Sequence, residues 1–144
     1  FMSVSARNQL TGVIASLSEG AVNDEIEIQL NGGGKLVAVV TQSSSHTLGL
    51  TLGKEVTALI KASWVLLATP DSDLLFSARN QFSGTITSLE KGAINATVAI
   101  KTDAGLVLTA VITNDSVDDM ALASGSPIIA LVKASSVILA VKKS

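Results

Sequence analysis

An internal repeat is the strongest constraint that this sequence places on its fold. Residues 5–68 align without a gap with residues 77–140, at an offset of 72 positions, and 29 of the 64 aligned residues are identical. Both copies begin with the same five residues, Ser-Ala-Arg-Asn-Gln. The chain is therefore predicted to contain two similar units, residues 1–68 and 77–144, joined by a linker of residues 69–76 that carries a Pro/Asp/Ser cluster.

Each unit reads as a series of short strands. Residues 25–30 alternate polar and apolar side chains, and the glycines of residues 31–34 predict a hairpin turn into a Val-rich return strand. The strands expected in the first unit span residues 10–17, 25–30, 35–41, 56–61 and 64–68, and short helices are expected over 43–50 and 116–122. We predict an all-β chain of two tandem five-stranded Greek-key barrels of the OB type, each with a short helix; a small open β-sandwich is the alternative.

Composition narrows the class of protein. Hydrophobic residues make up 47% of the chain and charged residues 15%, yet no apolar run approaches the roughly 20 residues that span a membrane. A subunit interface that buries apolar surface explains why the chain has many hydrophobic and few charged residues. The net charge of −2 and the 3% aromatic content argue against nucleic acid as a partner. The first residues have no signal-peptide pattern, so we expect a soluble cytoplasmic protein without a membrane partner.

Several candidate sites have simpler interpretations. The Gly-rich residues 31–34 lack the Gly-Lys-Ser/Thr ending of a phosphate-binding loop. His46 is the only histidine and the chain has no cysteine, so we expect a surface role for it rather than a bare metal cation site. Trp64 becomes Ser136 in the second unit, and a packing role is expected for it. Glu25 and Glu27 become Thr97 and Ala99 in the second unit, which argues against a shared acid–base pair, and no other pattern indicates an enzyme.

The polar residues that both units share are donors. They offer guanidinium, ammonium, hydroxyl and backbone N–H groups, and no carboxylate is among them. Sites that contain donors without acceptors suit an oxyanion. A Thr-x-x-Ser step at residues 41–44 also lies where a short helix begins, and helix N-termini favour anions. From the residues alone, anion binding and purely structural repetition both remain open.

The same segments resemble the Mop (molbindin) family of molybdenum-binding proteins. The resemblance covers both units and rests on the Ser-Ala-Arg-Asn-Gln segment, the Gly-Ala-Val-Asn turn, the Val-Val-Thr-x-x-Ser step and the Leu-Ile-Lys-Ala-Ser run. It implies a tandem, di-Mop chain of OB-type barrels, strand exchange between neighbouring units, and molybdate sites at subunit interfaces. Tungstate is the implied analogue, no organic cofactor is implied, and a homotrimer is the implied assembly.

The resemblance also implies ligands. In the first unit they are the Ser5 hydroxyl, the Ala6 backbone, Arg7, Lys61 and Ala62, which Thr41 and Ser44 face from a neighbour. The equivalents in the second unit are Ser77, Ala78, Arg79, Lys133 and Ala134, with Thr113 and Ser116. A second type of site is implied near the threefold axes, with the candidates Gly20, Ala21, Asn23, Gly92, Ala93 and Asn95.

The implied role is storage of molybdenum within the cell. Repressors of this family carry a helix-turn-helix domain ahead of the Mop units, and residues 1–144 contain no such segment. A ligand-sensing or assembly module without a storage role and an OB-type nucleic-acid-binding module are the alternatives.

Overall fold

The structure is a computed structural model, and it describes residues 4–143. The first unit contains β1 (Asn8–Ser18), β2 (Asn23–Leu30), β3 (Lys35–Thr41), α1 (Gln42–Leu48), β4 (Glu55–Ile60) and β5 (Leu66–Ala68), with a 3-10 turn over Ala62–Trp64. The second contains β6 (Asn80–Lys91), β7 (Asn95–Thr102), β8 (Val107–Thr113), α2 (Asn114–Asp119), β9 (Pro127–Val132) and β10 (Ile138–Ala140), with a 3-10 turn over Ala134–Ser136.

The alternating segments form the central strands because one face of each is apolar. In β2 every second residue from Asp24 to Leu30 is buried, and Glu25 and Glu27 point to the other face. The turn after β2 is tight, and Gly33 and Gly34 both have a positive φ that disfavours residues with a Cβ atom. The predicted hairpin is confirmed, with β2 antiparallel to β3.

The two units exchange their last strands. The first sheet has the order β10-β4-β1-β2-β3, and the second has the order β5-β9-β6-β7-β8. Strand β10 of the second unit pairs with β4 of the first, with Leu139 opposite Ala58, and β5 pairs in the same way with β9. Each curled sheet thus contains strands from both units, so the exchange implied by the resemblance occurs within this one chain.

One apolar core runs through both sheets. Ile28, Leu36 and Ile60 of the first unit and Ile100 and Leu108 of the second are fully buried in the same cluster. Leu139 of the exchanged strand β10 belongs to it as well. Since burial of apolar surface is the main force that favours folding, the two units stabilise each other.

The all-β fold with two five-stranded barrel-like sheets is confirmed, and the differences are local. Both helices begin earlier than predicted, because Thr41 and Thr113 cap them by accepting a hydrogen bond from the backbone N–H of the residue three positions later. Trp64, for which a packing role was expected, does not fill a core position. Its side chain is 41% exposed, and its neighbour Val65 occupies the core position. No helix in the described part of the chain is long and apolar enough to cross a membrane.

Candidate functional site

The repeated Ser-Ala-Arg segment forms an arm that leads into the first strand of each unit. We call residues 77–79 the second arm and residues 5–7 the first arm. The Gln81 side-chain amide donates hydrogen bonds to the carbonyl oxygens of Ala78 and Phe76, at 3.1 and 3.0 Å. Gln9 makes the equivalent bonds in the first unit, to Ala6 and Val4. Each glutamine therefore holds its own arm in a bent conformation.

The asparagine of the same motif joins the two units. Asn80 is 3% exposed; its side-chain oxygen accepts from the Val37 N–H and its amide donates to the Val37 carbonyl, both at 2.8 Å. Asn8 makes the same pair of bonds to the backbone of Thr109, the equivalent of Val37. Strands β3 and β8 are sheet edges, so each asparagine satisfies backbone groups on the edge of the other unit.

A cavity of about 440 Å³ opens beside the second arm. It is lined by Val39 of the first unit together with Leu66, Phe76, Ser77, Ala78, Arg79, Leu131, Lys133, Ala134 and Ser135. Five of the predicted ligands, from the arm and from the turn after β9, therefore meet at one place. The volume lies within the range of about 300–1,000 Å³ that is typical of small-molecule sites.

The turn after β9 supplies a cation and free backbone donors to this cavity. Lys133 is the residue before the 3-10 turn over Ala134–Ser136, and its side chain is exposed. The Ala134 side chain is buried in the interior, so the group that this residue can offer to a ligand is its peptide N–H. The first N–H groups of a helical turn have no partner within the turn, which suits them to an anion.

Thr41 and Ser44 do not line the cavity: Thr41 ends the strand that borders it, and Ser44 lies in the first turn of α1. Val39 lines the cavity and Thr41 is the next residue on the same face of β3, because side chains alternate along a strand. The Thr41 hydroxyl accepts from the Ser44 N–H at 3.1 Å and donates to the Ser44 hydroxyl at 2.9 Å. Thr113 and Ser116 form the same arrangement at α2. Both hydroxyl pairs are exposed or half-buried, and one function of each threonine is to cap a helix.

Equivalent cations in the two units have different surroundings. Arg79 forms an ion pair with Glu25, which stands opposite Val39 across the β2–β3 ladder. In the first unit the Lys61 ammonium lies 5.9 Å from the centre of the Trp64 ring, a cation–π contact. Neither Glu25 nor Trp64 is repeated, since Thr97 and Ser136 stand at the equivalent positions.

The first arm has the same relation to the second unit. The 3-10 turn over Ala62–Trp64, which follows Lys61, packs against β8, as the turn after Lys133 packs against β3. Ala62 is buried like Ala134, and Ser5 and Arg7 are exposed. The two arms are thus each placed at the edge strand of the opposite unit.

Comparison with known proteins agrees with this architecture. The TOBE domain family matches residues 4–67 and residues 77–139. The chain belongs to the TOBE-domain family. It carries two TOBE units in the tandem arrangement expected for a di-Mop protein.

Three relatives illustrate the similarity. A solved structure of the cytoplasmic molybdate-binding protein ModG with molybdate bound is 46% identical, covers 98% of this chain and 100% of its own, and superposes with a TM-score of 0.92. The molybdenum transport protein ModE of Herbaspirillum seropedicae is 38% identical over 99% of this chain. The molybdenum-pterin-binding protein MopA of Rhodobacter capsulatus is 42% identical over 96% of it. The chain spans about half the length of these two curated relatives, 53% and 52%.

One backbone donor is already occupied on the turn between the first two strands of each TOBE unit. The Gly20 N–H donates to the carboxylate of Asp24, which is 1% exposed, and the Gly92 N–H donates to the Asn95 carbonyl. Ala21, Asn23, Ala93 and Asn95 are exposed on the same turns. Within one chain, the candidates for a second type of site therefore lie together on each turn but do not enclose a ligand.

Carboxylates elsewhere in the TOBE units have other partners. The Lys35 side chain and the Ser16 hydroxyl donate hydrogen bonds to Glu27, and with the Lys35 charge they hold the pKa of Glu27 below its ordinary value. Within residues 4–143 no cluster of three or more His, Cys, Asp or Glu side chains is placed to hold a metal ion. His46 is exposed on α1.

Sequence reasoning missed two functions within its own strongest motif. It assigned the serine, alanine and arginine of Ser-Ala-Arg-Asn-Gln to an anion and gave the asparagine and glutamine none. The structure uses the asparagine to join the units and the glutamine to bend the arm. The signal was the identity of all five residues in both copies, which ligands alone do not explain.

Proposed function

We propose that this chain binds molybdate at two sites of one type, each built from both TOBE units. The observation that carries the proposal is the cavity in which Ser77, Arg79 and Lys133 meet beside the edge of the first unit. It is supported by the relative ModG, whose structure contains molybdate. No covalent bond is made or broken in this function, and we assign no enzymatic activity.

The first proposed site, called the Arg79 site, combines the second arm with the first unit. Its donors are Ser77, Ala78, Arg79, Lys133 and Ala134, completed by Thr41 and Ser44. The position of Val39 in the cavity and of Thr41 one step further along β3 supports this grouping. The neighbour that completes the site is then the other unit of the same chain.

The second proposed site, called the Arg7 site, is its counterpart. Its donors are Ser5, Ala6, Arg7, Lys61 and Ala62, completed by Thr113 and Ser116. The packing of the first 3-10 turn against β8 supports this grouping. In the Arg79 site the Thr41 hydroxyl donates to the Ser44 hydroxyl, so the proton that this pair can offer an anion without breaking a bond is that of Ser44.

The donor set suits a tetrahedral dianion. An arginine and a lysine neutralise its charge, and hydroxyl and peptide N–H groups bond to its four oxygens. No carboxylate belongs to the set, so the proton of hydrogen phosphate would have only hydroxyl oxygens to bond to, which disfavours phosphate. Sulfate has the same charge and shape, so selectivity against it rests on the size of the closed site. Tungstate is expected to bind as molybdate does.

The proposed biological role is storage and homeostasis of molybdenum in the cytoplasm. The relative ModG is described as cytoplasmic and molybdate-binding, which supports this role.

We also propose a homotrimer, because large apolar side chains are exposed at Val22, Leu52, Leu75 and Ile94 and unpaired apolar surface of this kind favours association. Val22 and Ile94 are equivalent positions on the two turns, so the second type of site proposed there, at Gly20, Ala21, Asn23, Gly92, Ala93 and Asn95, forms between chains.

Equilibrium dialysis tests the proposed ligand. The purified protein is dialysed against micromolar molybdate, with sulfate in hundredfold excess as a competitor, and bound molybdenum is measured by mass spectrometry. We expect retained molybdate that sulfate does not displace. A protein that retains no molybdate contradicts the proposal, and size measurement by light scattering checks the trimer.

Arginine substitutions test the residues. We expect Arg7→Ala and Arg79→Ala each to weaken one site by about tenfold to hundredfold, since a charge-assisted hydrogen bond contributes about 1.5–3 kcal/mol. Arg7→Ala combined with Arg79→Ala weakens both. The control is Lys101→Ala, which removes an exposed cation on β7 outside the proposed ligand sets. Unchanged affinity and stoichiometry in the double variant contradict the assignment.

A further inference from the structure

The two arms differ in one contact that bears directly on anion binding. The Arg79 guanidinium forms an ion pair with the Glu25 carboxylate, and the side chains are 57% and 36% exposed. Glu25 belongs to β2 of the first unit, so this contact joins the second arm to the opposite unit, beside Val39 and the cavity. The Glu25 carboxylate thus already bonds to N–H groups of Arg79 that an oxyanion would need.

The first arm lacks this carboxylate. The residue equivalent to Glu25 is Thr97 on β7, which carries no charge. Within residues 4–143 Arg7 forms no ion pair. The internal repeat therefore supplies its own comparison, since the two arms have identical sequences and the strands they face differ at Glu25 and Thr97, among other positions.

We propose that Glu25 is an internal competitor for the Arg79 site, so that the two sites of one chain bind an oxyanion with unequal affinity and the Arg7 site fills first. This inference rests on the proposed function of the two sites. Glu25 does not contact the anion in this role; it determines how available Arg79 is.

The physical reason is electrostatic. An incoming dianion must replace Glu25 as the partner of Arg79, which costs the ion pair, and it then lies near a displaced negative charge that repels it. The exposed guanidinium has room to turn toward the cavity, and solvent screens the pair, so the penalty is moderate rather than prohibitive. We expect about a tenfold difference in affinity, in line with one exposed ion pair and the repulsion of a double charge.

The test exchanges the residues at this position between the two units. Glu25→Thr gives the first unit the residue of the second, and Thr97→Glu gives the second unit the residue of the first. Each is made in a background with a single intact site: Arg7→Ala leaves the Arg79 site, and Arg79→Ala leaves the Arg7 site. Molybdate affinity is measured by titration calorimetry at low salt.

We expect Glu25→Thr to tighten molybdate binding about tenfold in the Arg7→Ala background and to leave it unchanged in the Arg79→Ala background. Thr97→Glu is expected to weaken binding about tenfold in the Arg79→Ala background. A purely structural role of Glu25 predicts equal changes in both backgrounds. The control is Glu27→Thr, which removes a carboxylate from the same strand face whose partner is Lys35 rather than Arg79.

The outcomes separate the two proposals. If the unsubstituted protein does not bind molybdate, the proposed function is wrong. If it binds, and Glu25→Thr does not change the affinity of the Arg79 site, the function stands and the competitor role of Glu25 is wrong. Higher salt must also reduce the difference between the sites, and a difference that persists at 1 M salt contradicts an electrostatic origin.

Discussion

At the scale of single residues, one five-residue motif performs three tasks. The serine, alanine and arginine present donors, the asparagine bonds to the opposite unit, and the glutamine bends the arm. The order matters because the buried asparagine begins the strand and leaves the preceding residues free of the sheet. An arm anchored at its base by buried hydrogen bonds keeps its charged end in a defined place.

Asn80→Asp tests the joint between the units. The carboxylate cannot donate to the Val37 carbonyl, and it buries a charge in a position that is 3% exposed. We expect a loss of about 2–4 kcal/mol in the free energy of unfolding, from one unsatisfied buried acceptor and a desolvated charge. Urea denaturation followed by circular dichroism measures it.

The control for this substitution is Asn31→Asp. Asn31 lies exposed in the first hairpin turn, and Asp103 occupies the equivalent place in the second unit. We expect a change within about 0.5 kcal/mol. Similar losses in both variants indicate a general effect of added charge and contradict the proposed joint.

At the scale of elements, the sequence predicted which segments are strands more completely than it predicted which sheet they join. Period-two alternation and the glycine turn were sufficient for β2 and β3, because one face of each is buried within its own unit. The three-residue strands β5 and β10 are too short for a pattern to place them. Their placement in opposite sheets depends on packing, and it was expected here through the family resemblance.

The candidate site, like the strands, was predictable only in part from the sequence. Repetition identified the donors that line the cavity, since both copies keep them. Glu25 and Trp64 were given no part in the site because they are not repeated, and only the fold brings each next to a cation. Residues that differ between the copies make the two proposed sites different, and a search for shared residues cannot find them.

Leu139→Ala tests the exchanged strand. Leu139 lies near the end of the chain in β10, yet it is 7% exposed and pairs with Ala58 in the first sheet. We expect a loss of about 2–4 kcal/mol in the free energy of unfolding, the usual cost of a large-to-small change in a core. Thermal and urea denaturation measure it.

The neighbouring residue provides the control. Ile138 is 52% exposed, so we expect Ile138→Ala to cost less than about 1 kcal/mol in the monomeric chain. If Leu139→Ala is equally mild, β10 is not an integral part of the first sheet.

At the scale of the whole molecule, the chain is a symmetric pair of units whose connection is reciprocal. Two strands and two asparagines cross between the units, one of each in either direction. The linker of residues 69–76 contributes none of the strands. The units are therefore held together by exchange, with the linker as an additional tether.

Cleavage of the linker tests this arrangement. A protease site inserted after Asp71, in the turn between β5 and the second arm, divides the chain into two halves. We expect the halves to elute together in native buffer and to separate only in denaturant, because each half supplies a strand to the sheet of the other. Uncut protein with the same insertion is the control. Halves that separate in native buffer contradict the exchange.

The reciprocal exchange also affects how a duplicated gene can diverge. Two identical single units paired by symmetry would express every mutation twice, once at each site. In this chain the arm at each proposed site comes from one half of the gene and its facing edge from the other, so a mutation such as the one that separates Glu25 from Thr97 reaches one proposed site alone. If the proposed sites are correct, fusion of the two copies allows one polypeptide to hold a strong and a weak version of the same site, each open to separate natural selection.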